Sequence, residues 1–326
     1  MARKRWNGRR VGLTSLQPPA ARLFITKGLS VHIRHLGMLI VLAALWGASF
    51  LFIRVAAPVL GPFLLVVVRV LLASGVLWLY ALLMKHHITM DGRWRQFVLL
   101  GTLNAAMPFT LIAIAELQLT ASLAAILNAT TPLFAALVAA VWINDALTLK
   151  QSFGLLLGLC GVTIVVGWSP LPLTVPVLLS VGASLTAAFF YGLGGVYAKV
   201  TFAGTSPLTM ATLQQLWAGV VVLPLVVVAP PQQVPSFGIV LAVLVLAILC
   251  TALAYLLYFR LLTEVGPTST LSVTFLVPVF GVFWSALFLQ EALRAGQFVG
   301  LGIILVSLVL VTGVRIGWLR ARPEYS

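Results

Sequence analysis

Residues 85–93, KHHITMDGR, place two adjacent histidines, His86 and His87, shortly before Asp91 and Gly92. A histidine in the spacing HHxxxDG can act as the general base of an acyl transfer, because its pKa lies near neutrality. The first question is therefore whether this stretch is a catalytic site or a basic loop.

Catalysis needs a pocket that orients the base, excludes water and holds two substrates. The stretch lies in a connection of about a dozen residues between two apolar segments, and Arg93 and Arg95 follow it. All four histidines fall in this loop or in the N-terminal tail. We expect a basic loop and no enzymatic activity, with an intramembrane acyl or lipid-group transferase using His86 or His87 as an alternative.

The composition indicates a polytopic membrane protein. Hydrophobic residues make up 61% of the chain and charged residues 8%, and the mean hydropathy is +1.13. Soluble domains are about 25% charged. The two cysteines, Cys160 and Cys250, lie in apolar runs without CxxC or Cys/His neighbours, so neither a metal nor a cofactor is predicted. The net charge of +14 comes with no nucleic-acid recognition motif.

Ten apolar stretches approach the length of about 20 residues that crosses a bilayer as a helix. This pattern predicts an all-α integral membrane protein. The predicted spans are 36–53, 59–84, 97–115, 119–143, 153–168, 176–198, 207–229, 237–259, 265–289 and 297–314.

The distribution of basic residues predicts the orientation of the chain. Seventeen Lys and Arg residues fall on the side of the two termini, against Arg54 and Arg294 on the other. The positive-inside rule therefore places residues 1–35 and 315–326 in the cytoplasm as basic tails, with the protein in the inner (plasma) membrane. The Arg-rich N-terminal tail, which contains no acid, also fits an organellar address or a start assigned too far upstream.

An internal repeat appears when the chain is shifted by 146 residues. NDALTLKQSFGLLLGLCGVTIVVG (144–167) then matches QEALRAGQFVGLGIILVSLVLVTG (290–313), and Pro132 falls on Pro278. Each copy, 36–168 and 176–314, holds five spans. Since five is odd, the second copy enters the membrane from the opposite face, which predicts two inverted five-helix repeats, as in many secondary transporters.

The sequence resembles EamA-type carriers of the drug/metabolite transporter superfamily. The resemblance rests on LWGASFLFIRVA (45–56), VVVRVLLASGVL (66–77), the prolines of spans four and nine, and an acid-Ala-Leu step before a Gly-rich span. It covers roughly residues 38–313. The family implies export or exchange of amino acids and related small metabolites around a central cavity.

The two repeat-related prolines predict a substrate site. Proline frees the carbonyl four residues earlier, which is that of Asn128 for Pro132 and that of Thr274 for Pro278. Asn128 and Thr274 correspond under the shift and lie near mid-span, where inverted-repeat carriers bind substrate. The alternative is that both prolines only kink helices for packing.

Other intramembrane side chains extend the set of candidates. Arg69 is the one charge deep in a predicted span, and such a charge needs a partner or a wet cavity. It can meet a substrate carboxylate or serve the scaffold. For the aromatic candidates the alternative is anchoring or packing, and for the amides it is helix-to-helix bonding. Further candidates are Trp46, Asn104, Tyr191, Gln215 and Tyr255.

The sequence predicts a secondary transporter, an exporter or facilitator of a small metabolite, that works by alternating access. A non-transporting receptor or scaffold is the remaining alternative. The six acids all lie at span ends, in loops or in the tail, so no proton relay is predicted and facilitated efflux is the simplest mechanism. Proton antiport through Glu116 is the alternative.

Overall fold

The computed structural model describes residues 33–169, 171–231 and 233–313, and within them ten helices are long and apolar enough to span a membrane. This confirms the predicted all-α class. Residues 1–32 of the N-terminal tail and the whole C-terminal tail lie outside the described residues. The helices are α1 Ile33–Leu60, α2 Pro62–Leu83, α3 Trp94–Ala115, α4 Ala121–Trp142, α5 Leu149–Gly167, α6 Val175–Thr201, α7 Pro207–Val228, α8 Phe237–Gly266, α9 Ser269–Leu289 and α10 Ala295–Thr312.

With ten crossings, α1 begins and α10 ends on the same side, which we call the terminal face; the other side is the opposite face. The end of α1 differs from the prediction. The sequence predicts that the first span ends at residue 53, whereas α1 continues through Arg54 and Pro58 to Leu60. Arg54 therefore lies inside a helix and not in a loop. Its guanidinium donates a hydrogen bond to the backbone carbonyl of Glu116, which gives the charge a partner inside the protein.

The joint between α8 and α9 also differs from the prediction. Helix α8 runs on to Gly266, whose φ of 80° is left-handed and ends the regular helix there. Helix α9 consequently begins at Ser269 and not at residue 265. A run of hydroxyls then satisfies backbone carbonyls near its start, where Ser272 donates to Ser269 and Thr274 to Leu271.

Two helices contain a wider π-helical turn at corresponding places. In α3 the turn spans Thr102–Ala106, and in α8 it spans Ile248–Leu253. The 146-residue shift carries Thr102 onto Ile248. Matching irregularities of this kind fit a duplicated helix, and π-turns often mark functional sites.

The packing of the helices follows the same correspondence. If α1 is exchanged for α6, α3 for α8 and α4 for α9, the contact of α1 with α9 becomes that of α6 with α4. Likewise the contact of α3 with α6 becomes that of α8 with α1. Helices α2 and α7 pack against each other, as do α5 and α10, so each of these pairs maps onto itself.

Helices α5 and α10 pack closely because small residues face each other along their contact. A Cβ added at Gly300 would lie 2.1 Å from the Cγ2 atom of Val165 and 2.9 Å from the carbonyl oxygen of Gly161. In the apolar phase, where lipid competes with every apolar contact, such small residues let two backbones approach and gain van der Waals packing.

We expect Gly300→Ala to destabilise the protein by about 1–3 kcal/mol, the usual cost of overpacking. The matched control is Gly302→Ala on the same helix, where an added Cβ meets nothing within 4 Å. The measurement is the apparent Tm in detergent. Equal Tm values for the two variants would show that the close contact of α5 with α10 contributes nothing to stability.

Candidate functional site

A cavity of about 410 Å³ lies between the helices and is lined by residues of both halves of the chain. Its size is typical of a small-molecule site. Nine of the ten residues singled out from the sequence line it. These are Trp46, Arg69, Asn104, Asn128, Pro132, Tyr191, Tyr255, Thr274 and Pro278.

Gln215 is the exception, and its neighbour Gln214 lines the cavity in its place. Successive residues of a helix point about 100° apart, so the two side chains cannot share a face. Gln215 is fully buried, and its amide atoms have no hydrogen-bond partner among the described residues.

Arg69 is buried in the wall of the cavity with two contacts that need a guanidinium. Its Nε–H donates to the Thr251 hydroxyl at 3.0 Å, and its central carbon lies 3.8 Å from the centroid of the Phe109 ring. Thr251 belongs to the π-turn of α8, and its hydroxyl donates a hydrogen bond to the Leu246 carbonyl at 2.8 Å. The π-turn thus supplies the acceptor that makes the buried charge tolerable.

A chain of hydrogen bonds crosses the cavity wall from α3 through α7 to α8. Asn104 Nδ2 donates to Gln214 Oε1 at 2.9 Å, and Gln214 Nε2 donates to the Tyr255 hydroxyl oxygen at 2.9 Å. Gly101 permits this arrangement, because a Cβ there would lie 2.7 Å from the Gln214 carbonyl oxygen. The close approach of α3 to α7 therefore brings Asn104 to Gln214.

Aromatic rings form a second part of the wall. Trp46 packs edge-on against Tyr255, with ring centroids 6.4 Å apart. Its ring is tilted against that of Tyr258, with ring centroids 5.5 Å apart. Phe259 stacks on Tyr255 at 5.7 Å. Tyr191 meets Phe109 edge-on at 6.1 Å, on the ring that carries Arg69. The wall combines apolar ring faces with hydroxyl groups.

The two proline positions differ in detail. Before Pro132, α4 is broken into Ala121–Asn128 and Thr131–Trp142, and the Thr131 hydroxyl donates to the Asn128 carbonyl that the proline frees, at 2.8 Å. The Asn128 side-chain oxygen is buried and has no hydrogen-bond partner among the described residues. Pro278 lies inside α9 without a break, and the Thr274 hydroxyl is bonded to its own helix.

Sequence reasoning missed Phe109, Thr251 and Cys250, all of which line the cavity. Cys250 could have been found, because the 146-residue shift carries Asn104 onto it. Phe109 could have been found in the same way, because the shift carries it onto Tyr255. Thr251 carries no such signal, since it corresponds to Ala105 and its role depends on the position of the Arg69 guanidinium.

The HHITMDGR stretch forms a loop on the terminal face that contacts the α6–α7 connection and the first turn of α7. His86 Nε2 lies 3.1 Å from the Thr209 hydroxyl, and Arg93 donates to the Thr205 hydroxyl at 3.0 Å. Asp91 and Gly92 have positive φ angles and form the turn. No group of three potential metal ligands occurs in the part of the chain that the structure covers.

Ten membrane-spanning helices around a cavity with a mixed aromatic and polar wall define a polytopic membrane transport protein. The chain belongs to the EamA-like transporter family, because the sequence model of that family matches it twice, over residues 35–167 and 178–313. The first matched segment covers α1–α5 and the second covers α6–α10.

Several curated proteins are similar over most of the chain. The uncharacterized inner membrane transporter YedA of Escherichia coli (strain K12) is 28% identical, over 85% of this chain and 90% of its own. Protein PecM of Dickeya dadantii (strain 3937) is 27% identical, over 82% and 89%. The uncharacterized transporter YvbV of Bacillus subtilis (strain 168) is 25% identical, over 84% and 90%.

A solved crystal structure of a protein shares the fold. It superimposes with a TM-score of 0.64 and 17% identity, covering 88% of this chain and 99% of its own.

We expect Arg69→Lys to lower the apparent Tm, because an ammonium cannot both reach Thr251 as Nε–H does and stack on Phe109. The loss of a charged hydrogen bond costs about 1.5–3 kcal/mol. Arg95→Lys, at an exposed position, is the matched control. An unchanged Tm in Arg69→Lys would mean that the guanidinium has no structural role and is kept for substrate alone.

Proposed function

We propose that this transporter exports or equilibrates small zwitterionic metabolites such as amino acids, by alternating access of the central cavity to the two faces. The observation that carries the proposal is the wall of that cavity. It places one cation, several uncharged hydrogen-bonding groups and a cluster of aromatic rings around a space the size of a small metabolite.

The chemistry of the wall fits the two charges of an amino acid. Arg69 makes one side-chain hydrogen bond within the described residues, through Nε, so its two terminal nitrogens remain for a carboxylate. The unpaired Asn128 oxygen and the faces of the Trp46 and Tyr258 rings suit an ammonium group. A neutral metabolite with similar groups would use the same contacts.

The two halves of the chain provide the means of alternating access. Each half is one copy of the family fold and contributes residues at matching places, Asn104 and Cys250 from the π-turns and Asn128 and Thr274 from the proline helices. We expect the copies to be inverted and to rock around the cavity. The segments 36–168 and 176–314 are then the two moving units.

We place the protein in the inner membrane of the cell. Its terminal face then faces the cytoplasm. The bias of basic residues toward the terminal face supports this orientation. Because Arg54 lies inside α1, Arg294 is the one basic residue that the count from the sequence leaves in a loop on the opposite side. A reporter fused after Ser326 that is active only in the cytoplasm checks this assignment.

The direct test is untargeted metabolite analysis of the medium around cells that overproduce the protein. We expect one metabolite class to accumulate, and its efflux to fall about tenfold or more in Asn128→Ala/Thr274→Ala, because each change removes a hydrogen-bonding group at the substrate. The matched control is Thr163→Ala/Thr186→Ala, two exposed hydroxyls on α5 and α6. Membrane abundance is held equal in all three strains.

Export by both the wild type and Asn128→Ala/Thr274→Ala would support the carrier function but would contradict the substrate site at Asn128 and Thr274. No export, together with a modified lipid or acyl product that vanishes in His87→Ala, would replace the carrier by a transferase.

A further inference from the structure

Glu116, which follows directly after α3, is a fully buried acid without a partner for its side chain. It has no exposed surface, and neither carboxyl oxygen has a hydrogen-bond partner among the described residues. The nearby Arg54 donates to the backbone carbonyl of Glu116 and not to its carboxyl group. A position at the end of a span therefore does not bring this acid to water, contrary to what its place in the sequence indicates.

The other acids near helix ends are solvated or bonded. Glu264 is partly exposed and pairs with Arg34, His35 and Arg260. Glu291 accepts hydrogen bonds from the backbone N–H groups of Ala121 and Ser122 and from the Ser122 hydroxyl, at 2.8, 3.1 and 2.6 Å. These contacts suit a negative charge at the N-terminus of α4. Glu116 has no comparable support.

Three charged groups act on Glu116 from the elements around it. Arg54 comes from α1, Arg69 from α2 and Glu291 from the α9–α10 connection. Burial raises the pKa of Glu116 well above its ordinary value, Glu291 raises it further, and Arg54 and Arg69 oppose the rise. A buried carboxyl without a partner is more stable as the neutral acid than as the carboxylate.

Glu116 lies just beyond the cavity, toward the opposite face. Its backbone N–H donates to the carbonyl of Ile112, and Arg54 directly follows Ile53; both isoleucines line the cavity. On its other side, the α9–α10 connection closes onto α4 through Glu291, and Gln297 donates to the Ser122 hydroxyl at 3.3 Å. The acid thus sits among the contacts that join the two halves on this face.

We propose that Glu116 is a proton-binding site that keeps the opposite face closed while it is protonated and opens it when the proton leaves. The proposal rests on the transport function proposed above, for which it supplies the coupling ion. It favours the proton-coupled alternative through Glu116 over the expectation of facilitated efflux without a proton relay.

The physical reason for opening is that the ionised form cannot stay where the neutral form is. A carboxylate at this position lies near the negative charge of Glu291 and has no hydrogen-bond donor. Its free energy therefore falls when it reaches water or pairs with Arg54. The proton passes to the water of the opposite face. Since the pKa is raised, the closed state is favoured at low pH and is lost as the pH rises from 4.5 toward the raised value.

The test combines two measurements on the full chain in lipid nanodiscs. Spin labels on Gln118 and Ala292, both exposed on the opposite face, report the distance between the α3–α4 and α9–α10 connections in a Cys160→Ser background, in which the buried Cys250 is kept. Infrared spectroscopy follows the carbonyl stretch of a neutral carboxylic acid in the same pH series.

In the wild type we expect the carboxylic-acid band to disappear with a midpoint above pH 4.5, and the label distance to lengthen over the same interval. Glu116→Gln, which is neutral at every pH, should lack the component of the band that titrates above pH 4.5 and should keep the short distance. Glu264→Gln, the matched change at an exposed and paired acid, should behave as the wild type. A midpoint at or below 4.5, a constant distance in the wild type, or a titrating distance in Glu116→Gln would overturn the proposal.

Asn128→Ala/Thr274→Ala in the labelled background separates this proposal from the transport function. It should lose efflux and retain the pH-dependent distance. A wild type that opens with pH and exports nothing would refute the transport function alone. Efflux with a distance that ignores pH would refute the proton site alone.

Discussion

The charge of Arg69 within the membrane is the constraint on which the arrangement of the cavity depends. A guanidinium inside the bilayer must find acceptors or water, and here α8 supplies an acceptor by widening into a π-turn that presents Thr251. Phe109 of α3 covers one face of the guanidinium. Three helices are held together by one side chain, and the space beside it is the cavity.

Irregular backbone borders that cavity at three places. The π-turns of α3 and α8 and the break in α4 each contribute lining residues, Asn104, Thr251 and Asn128 among them. Within hydrocarbon an unbonded carbonyl or amide is costly, so such features persist only where side chains or cavity water satisfy them. The distortions of the helices and the polarity of the cavity therefore have one cause.

The sequence predicted the ten spans, and nine of its ten candidate site residues line the cavity, because apolar length and proline positions can be read directly from the sequence. It failed where the answer depends on distant residues. Arg54 was placed in a loop, since its partner at Glu116 is 62 residues away. Gln215 was named as a site residue although Gln214 lines the cavity, because which of two successive side chains faces the cavity depends on helix rotation. The burial of Glu116 results from helices that the local sequence does not contain.

The central claim is that the cavity lies on a path between the two faces. The most direct measurement places a single cysteine at Ala129, a small lining residue, in Cys160→Ser/Cys250→Ser, and applies a membrane-impermeant thiol reagent to intact cells and to inside-out vesicles. Alternating access predicts that the Ala129→Cys thiol reacts from both faces. Reaction from one face alone, at every pH and with every exported metabolite, would show a binding pocket and contradict transport through it.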